Sequence, residues 1–147
     1  MTRAQIREDI FKLLFRIEFN SIEDMPAQIQ HFFEDPQTED DEEEKSHRIP
    51  EDDVQYMKRK YENIVSRIPE LDALIDSAAK GWKSSRLGKV DLTILRLAVY
   101  EMKYDEDIPV GVAINEAVEL AKKFGQDESP SFINGILAKL AKSTENE

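Results

Sequence analysis

Between Val90 and Tyr104 the apolar positions do not fall on one stripe. At about 100° per residue they nearly encircle the helix they predict. Val90, Ile94 and Leu97 face one way, Leu95, Ala98 and Met102 a second, and Leu92 and Val99 a third. Thr93, Arg96, Tyr100 and Lys103 are left as a polar sector. A helix apolar over most of its circumference has to be surrounded. With about fifteen residues it is too short to cross a bilayer, so the stretch predicts a central core helix enclosed by protein.

The rest of the chain predicts helices to pack around it. Thr2 is placed to cap a first helix running to about Phe19. Ile6, Ile10, Leu13, Leu14 and Ile17 form one face; Phe11, Phe15 and Phe19 lie opposite with Glu8 and Lys12, and Arg3, Arg7 and Arg16 flank them. Two readings fit: a helix packed between two layers, or a partly exposed aromatic face edged by cations that suits stacking on unpaired bases. Ser21 caps a second helix, Ile22 to about Glu34, with Ile29, Phe32 and Phe33 buried. Residues 35–50 are Pro-flanked, acidic and almost without apolar side chains, and read as a flexible loop. Pro50 opens a third helix to about Ile68, with acids in its first turn and bases later, as the helix dipole favours. Pro69 starts a fourth, Glu70 to Lys80, with Gly81 as a left-handed cap. Beyond the central helix, residues 105–109 make a turn and Val110 to Phe124 is amphipathic, ended by Gly125. Ser129 caps a last helix to about Lys142, with Pro130 at its first position and Ile133, Ile136, Leu137 and Leu140 buried. No segment alternates as a strand does. The expected fold is all-α, about seven helices in a single domain, with an N-terminal half of about 1–80 and a C-terminal half of about 81–143.

Charge changes the picture by its distribution. The net charge of −11 over 147 residues argues against a nucleic-acid partner taken as a single number. Residues 21–54, however, hold 13 acids against Lys45 and Arg48, so the remainder carries 18 of each sign. The acidity is local. With no cysteine there are no disulfides, thiol catalysis or thiolate metal sites, in keeping with a reducing cytosol. His31 and His47 are the only imidazoles, too few for a multi-histidine site, and no metal or other cofactor is expected. No apolar N-terminal run or membrane span appears, so neither secretion nor insertion is expected. Asp105-Glu106-Asp107 is the one tight carboxylate cluster outside the acidic segment, and it reads as a turn; no enzyme is expected.

Two segments carry more than helical periodicity. Trp82–Tyr104 contains L-G-x-V-D and I-L-R-L-A-x-Y-E, and Ile108–Leu140 contains A-I-N-E-A-V-E-L-A-K-x-F-G and F-I-N-G-I-L. Over about sixty residues these closely resemble the NusB family of bacterial transcription antitermination factors. The first helix resembles it more loosely, through R-x-x-x-R-E. The resemblance implies two orthogonal helical bundles and a non-enzymatic role in the cytoplasm. That role is to bind boxA-type single-stranded RNA together with NusE, a small-subunit ribosomal protein, within the RNA polymerase antitermination complex that supports rRNA transcription. It places RNA contacts at Arg3, Arg7, Lys12 and Phe15 and at Glu128, Phe132 and Asn134, to which Lys139 beside Phe132 is added. It places the NusE contact at the central helix, with Asp91 as the candidate.

The residues themselves support this in part. Phe132 falls at the edge of the last helix's polar side, as a half-exposed stacking ring or as a ring closing the core. Asn134 falls nearer the apolar side, where a hydrogen bond to a neighbouring helix is the simpler role. Gly135 in a helix interior costs about 1 kcal/mol against Ala and suggests a close approach by backbone or ligand. The first 19 residues hold four bases against Glu8, Asp9 and Glu18, where the family carries a denser arginine run and a Tyr at the position of Phe15. RNA affinity of the chain alone is therefore expected to be weak. The competing function is a protein-interaction module of the same fold without RNA binding. A homodimer is left open.

Overall fold

The computed structural model describes residues 2–34, 49–79 and 87–145, and every regular element among them is helical. Seven α-helices follow in order: α1 (Arg3–Phe15), α2 (Met25–Glu34), α3 (Glu51–Val65), α4 (Ile68–Ala78), α5 (Lys89–Tyr104), α6 (Val110–Phe124) and α7 (Ser129–Glu145). Most of the predicted acidic loop, residues 35–48, and the predicted Gly81 cap lie outside the described residues. The chain divides into two compact units, 1–63 and 64–147. The division falls before α4, earlier than the predicted half-way point near residue 80, because α4 packs against α5 and α7.

In the first unit, α1 begins at Arg3 because Thr2 and Gln5 cap each other. The Gln5 N–H donates to Thr2 Oγ1 at 3.1 Å and the Thr2 N–H to Gln5 Oε1 at 2.8 Å, satisfying two otherwise orphan donors. The helix stops at Phe15 and tightens into a 3-10 turn, Arg16–Glu18, where the pattern predicts a continuous helix to Phe19. The Asn20 side chain closes that turn, its Nδ2 donating to the Arg16 carbonyl at 2.8 Å. Ser21 caps a second 3-10 turn, Ile22–Asp24, and α2 starts only at Met25. Arg16 then joins α1 to α2: its guanidinium donates to the Gln28 carbonyl and side chain and lies 5.1 Å over the Phe32 ring. On α2, Phe32 is buried, whereas Ile29 and Phe33 are only half-buried.

The second unit is organised around α5, which packs against α4, α6 and α7. Leu92, Ile94, Leu95, Leu97, Ala98 and Val99 are all buried, which realises the predicted encircled helix. The predicted polar sector is not a solvent face. Thr93 is buried with its hydroxyl donating to the Lys89 carbonyl at 2.7 Å, and Tyr100 and Glu101 are buried as well. Arg96 is half-buried and forms a two-pronged pair with Asp72 of α4, Nε to Oδ1 at 2.8 Å and Nη2 to Oδ2 at 2.9 Å. Arg96 is thus held by α4 and Thr93 by the backbone of its own helix, rather than by water. On α6 and α7, Ala113, Ala117, Leu120, Ala121, Ile133, Ile136, Leu137 and Leu140 close the core at the predicted helical spacing.

Candidate nucleic-acid interface

The α1 residues predicted to meet RNA do not share one fate. Arg3 is exposed in the first turn, and Lys12 is half-exposed with its ammonium 3.7 Å from Glu8. Phe15 is half-buried between two rings, stacked on Phe11 at 6.0 Å and meeting Phe19 edge-on at 5.1 Å. Phe11 is buried and Phe19 is 65% exposed, so the aromatic row runs from core to surface along α1 and the 3-10 turn that follows it. The row is thus closed in at Phe11 and open at Phe19. Arg7 corrects the expectation: it is only 7% exposed and has partners within the protein. Its position i−3 and i−7 from Ile10 and Leu14 puts it on the buried face, so its guanidinium is not an open phosphate contact. Asp9 also matters to the charge of this helix. Burial holds its carboxyl pKa above the ordinary value; Lys12 pulls it back and Glu8 adds to the rise.

The start of α7 is set by a close approach. A Cβ on Gly125 would lie 2.6 Å from Ser129 Cβ and 2.8 Å from the Ala121 carbonyl, so only glycine fits where α6 gives way to α7. Ser129 is buried there as the first residue of α7, and its hydroxyl accepts from the Gln126 N–H at 3.0 Å. From that anchor, spacings of four and seven residues put Glu128, Phe132 and Lys139 on one side. Glu128 is exposed, Phe132 is half-buried, and Lys139 donates to the Ala78 carbonyl at the end of α4 at 3.4 Å. A cation is favoured at a helix C-terminus, so Lys139 has a structural role beside its predicted one. Asn134 is turned about 200° from Phe132 and is exposed, without the inter-helix hydrogen bond the pattern suggests. Gly135 is exposed too, and nothing lies within 4 Å of where its Cβ would be, so no protein backbone explains it. Asp91, in the first turn of α5, is half-buried.

Residues 4–142 match the model of the NusB family. The chain belongs to the NusB family. It is 50% identical over 141 residues to the transcription antitermination protein NusB of Agathobacter rectalis, covering 96% of this chain and 100% of that one. It is 42% identical to the NusB protein of Lachnoclostridium phytofermentans, covering 95% and 98%. Among solved structures it is similar to T. maritima NusB, with a TM-score of 0.80 at 33% identity over 97% of this chain and 92% of that one. A structure of the antitermination factors NusB and NusE in complex with dsRNA has a TM-score of 0.76 at 26% identity, covering 97% and 99%.

Seen as a NusB-family chain, two features escape sequence reasoning. Arg16 counts as a flanking cation in the pattern but is engaged by Gln28 and Phe32. Asn115 of α6 lies in one of the motif runs that carry the resemblance, yet its periodicity marks it only as polar. It lines an open cleft with Asn134 and Ser131. The signal available was the motif itself, since both asparagines belong to runs that carry the resemblance.

Proposed function

We propose that this chain is a transcription antitermination factor that binds boxA-type single-stranded RNA together with NusE and supports rRNA transcription as part of the RNA polymerase antitermination complex in the cytoplasm. Its role is binding and assembly, not catalysis. The observation that carries the reading is family membership over residues 4–142, with a related NusB–NusE–dsRNA complex similar over 97% of the chain. That related complex contains a duplex. Single-stranded RNA is the better ligand here because exposed Phe19, at the end of the row that contains Phe15, and half-buried Phe132 suit contact with unstacked bases. Arg3 and Lys12 supply phosphate contacts, Asp91 contributes to the NusE surface, and NusE supplies affinity that α1 lacks once Arg7 and Arg16 are engaged inside the protein.

The test is binding of a boxA-type oligonucleotide, single-stranded and as a duplex, with and without NusE, across a salt series. Tighter binding of the single strand, strengthened by NusE, is expected. Phe132→Ala should weaken it roughly ten- to a hundredfold with little change in salt slope, as for loss of one base stack. Lys12→Ala should flatten the slope by about one unit. No binding of either RNA form in the ternary mixture would leave the interaction-module reading in its place.

A further inference from the structure

Helix interiors disfavour asparagine, whose short amide competes with the backbone for hydrogen bonds. Asn115 on α6 and Asn134 on α7 nevertheless both sit in helix interiors, in the motif runs A-I-N-E-A and F-I-N-G. Folding does not account for them: both are exposed, and neither side chain makes a hydrogen bond within the protein. They converge on one open cleft of about 650 Å³ between α6 and α7. Ile114, Val118 and Pro130 give the cleft apolar surface, and Ser131 adds an uncommitted hydroxyl. Gly111 adds to the open lining, since a Cβ there would meet nothing within 4 Å.

We propose that this cleft holds one unpaired nucleobase of the bound RNA, its edge read by the amides of Asn115 and Asn134 and its face resting on the apolar side chains. The inference rests on the RNA-binding reading above and extends it to a residue, Asn115, and a site on the other side of α7 from Phe132. A nucleobase suits this lining because it is flat and apolar on its faces and carries donors and acceptors on its rim. An Asn amide presents one donor group and one acceptor side by side, which matches such an edge in two hydrogen bonds. A purely apolar protein side chain would leave both amides desolvated and unpaired, which costs free energy. The cleft carries Asp127 and no cation among its lining residues, so it suits a base rather than a phosphate.

The experiment uses the full chain with NusE and a boxA-type oligonucleotide in which each base in turn is replaced by an abasic site. Wild type should lose about tenfold in affinity at one position beyond any matched to Phe132. In Asn115→Ala the intact RNA should bind about tenfold more weakly, and the penalty at that one abasic position should vanish. Asn115→Ala is expected to fold, since Ala is the better helix former, and helical signal and melting temperature check that it has. An abasic profile and affinity unchanged in Asn115→Ala would overturn the pocket while leaving the RNA-binding function intact. Weaker assembly with NusE but an unchanged abasic profile would make the cleft a protein contact and overturn it as well. No RNA binding by wild type would overturn the function and the pocket together.

Discussion

A single carboxylate sets much of what α1 can do. Asp9 has its folded pKa raised chiefly by burial, so the folded state favours the protonated form. Its contribution to stability is fully present below the unfolded pKa of about 3.9 and is lost as pH rises through the folded value. At neutral pH Asp9 therefore opposes folding. Asp9→Asn should raise the melting temperature at pH 7, and the gap to wild type should narrow as the pH is lowered towards 4. A variant that melts lower than wild type at pH 7 would contradict this. The same change removes a negative charge close to Lys12 and should tighten RNA binding. Arg7 behaves differently. Because it is buried and engaged, Arg7→Ala should lower stability, and a loss of RNA affinity there should track the loss of fold rather than the salt slope.

At the scale of elements, α5 and the α6–α7 junction make opposite demands. Leu97 and Val99 lie on different sides of α5, at 1% and 0% exposure. Leu97→Ala should cost about 2–5 kcal/mol and Val99→Ala roughly 2 kcal/mol, for the buried methyls removed. A neutral Val99→Ala in chemical denaturation would show that α5 is enclosed on fewer sides than its burial indicates. At the junction the constraint is space. Gly125→Ala forces a methyl against Ser129 and the Ala121 carbonyl and should cost about 1–3 kcal/mol, as overpacking does. An unchanged denaturation midpoint would mean that the start of α7 shifts freely. These elements also divide what was legible in the sequence from what was not. Periodicity located all seven helices and the encircled α5, because burial of apolar positions dictates both. It misread Thr93, Tyr100 and Arg7, since a polar side chain facing a neighbouring helix has the same spacing as one facing water. It also ran α1 on to Phe19, because the 3-10 turn is fixed by the Asn20 and Arg16 hydrogen bonds, which no hydrophobic pattern records. The candidate site was legible only through motif residues: spacing already separates Phe132 from Asn134 on α7, but the cleft that Asn134 shares with Asn115 depends on how α6 and α7 pack.

For the whole molecule the governing quantity is charge. The chain carries −11, and that entire imbalance lies in residues 21–54, with the remainder neutral. Association with RNA releases counterions from each phosphate contact and so weakens as salt rises. Repulsion between RNA and a local excess of acid weakens with salt too, over a Debye length of about 8 Å at physiological ionic strength. The two dependences oppose each other, so the apparent salt slope should be shallower than the count of phosphate contacts implies. Replacing Glu39, Asp40, Asp41, Glu42, Glu43 and Glu44 by their amides removes six negative charges without touching the predicted RNA contacts. The neutralised chain should bind a boxA-type oligonucleotide more tightly at low salt and show a steeper slope, the two curves converging as ionic strength approaches about 1 M, where the screening length falls to about 3 Å. Titrations of both proteins across that range decide it. Parallel curves of equal affinity would mean that the acidic run does not act on RNA through its field, and the chain's weak affinity would then rest on the thin basic complement of α1 alone.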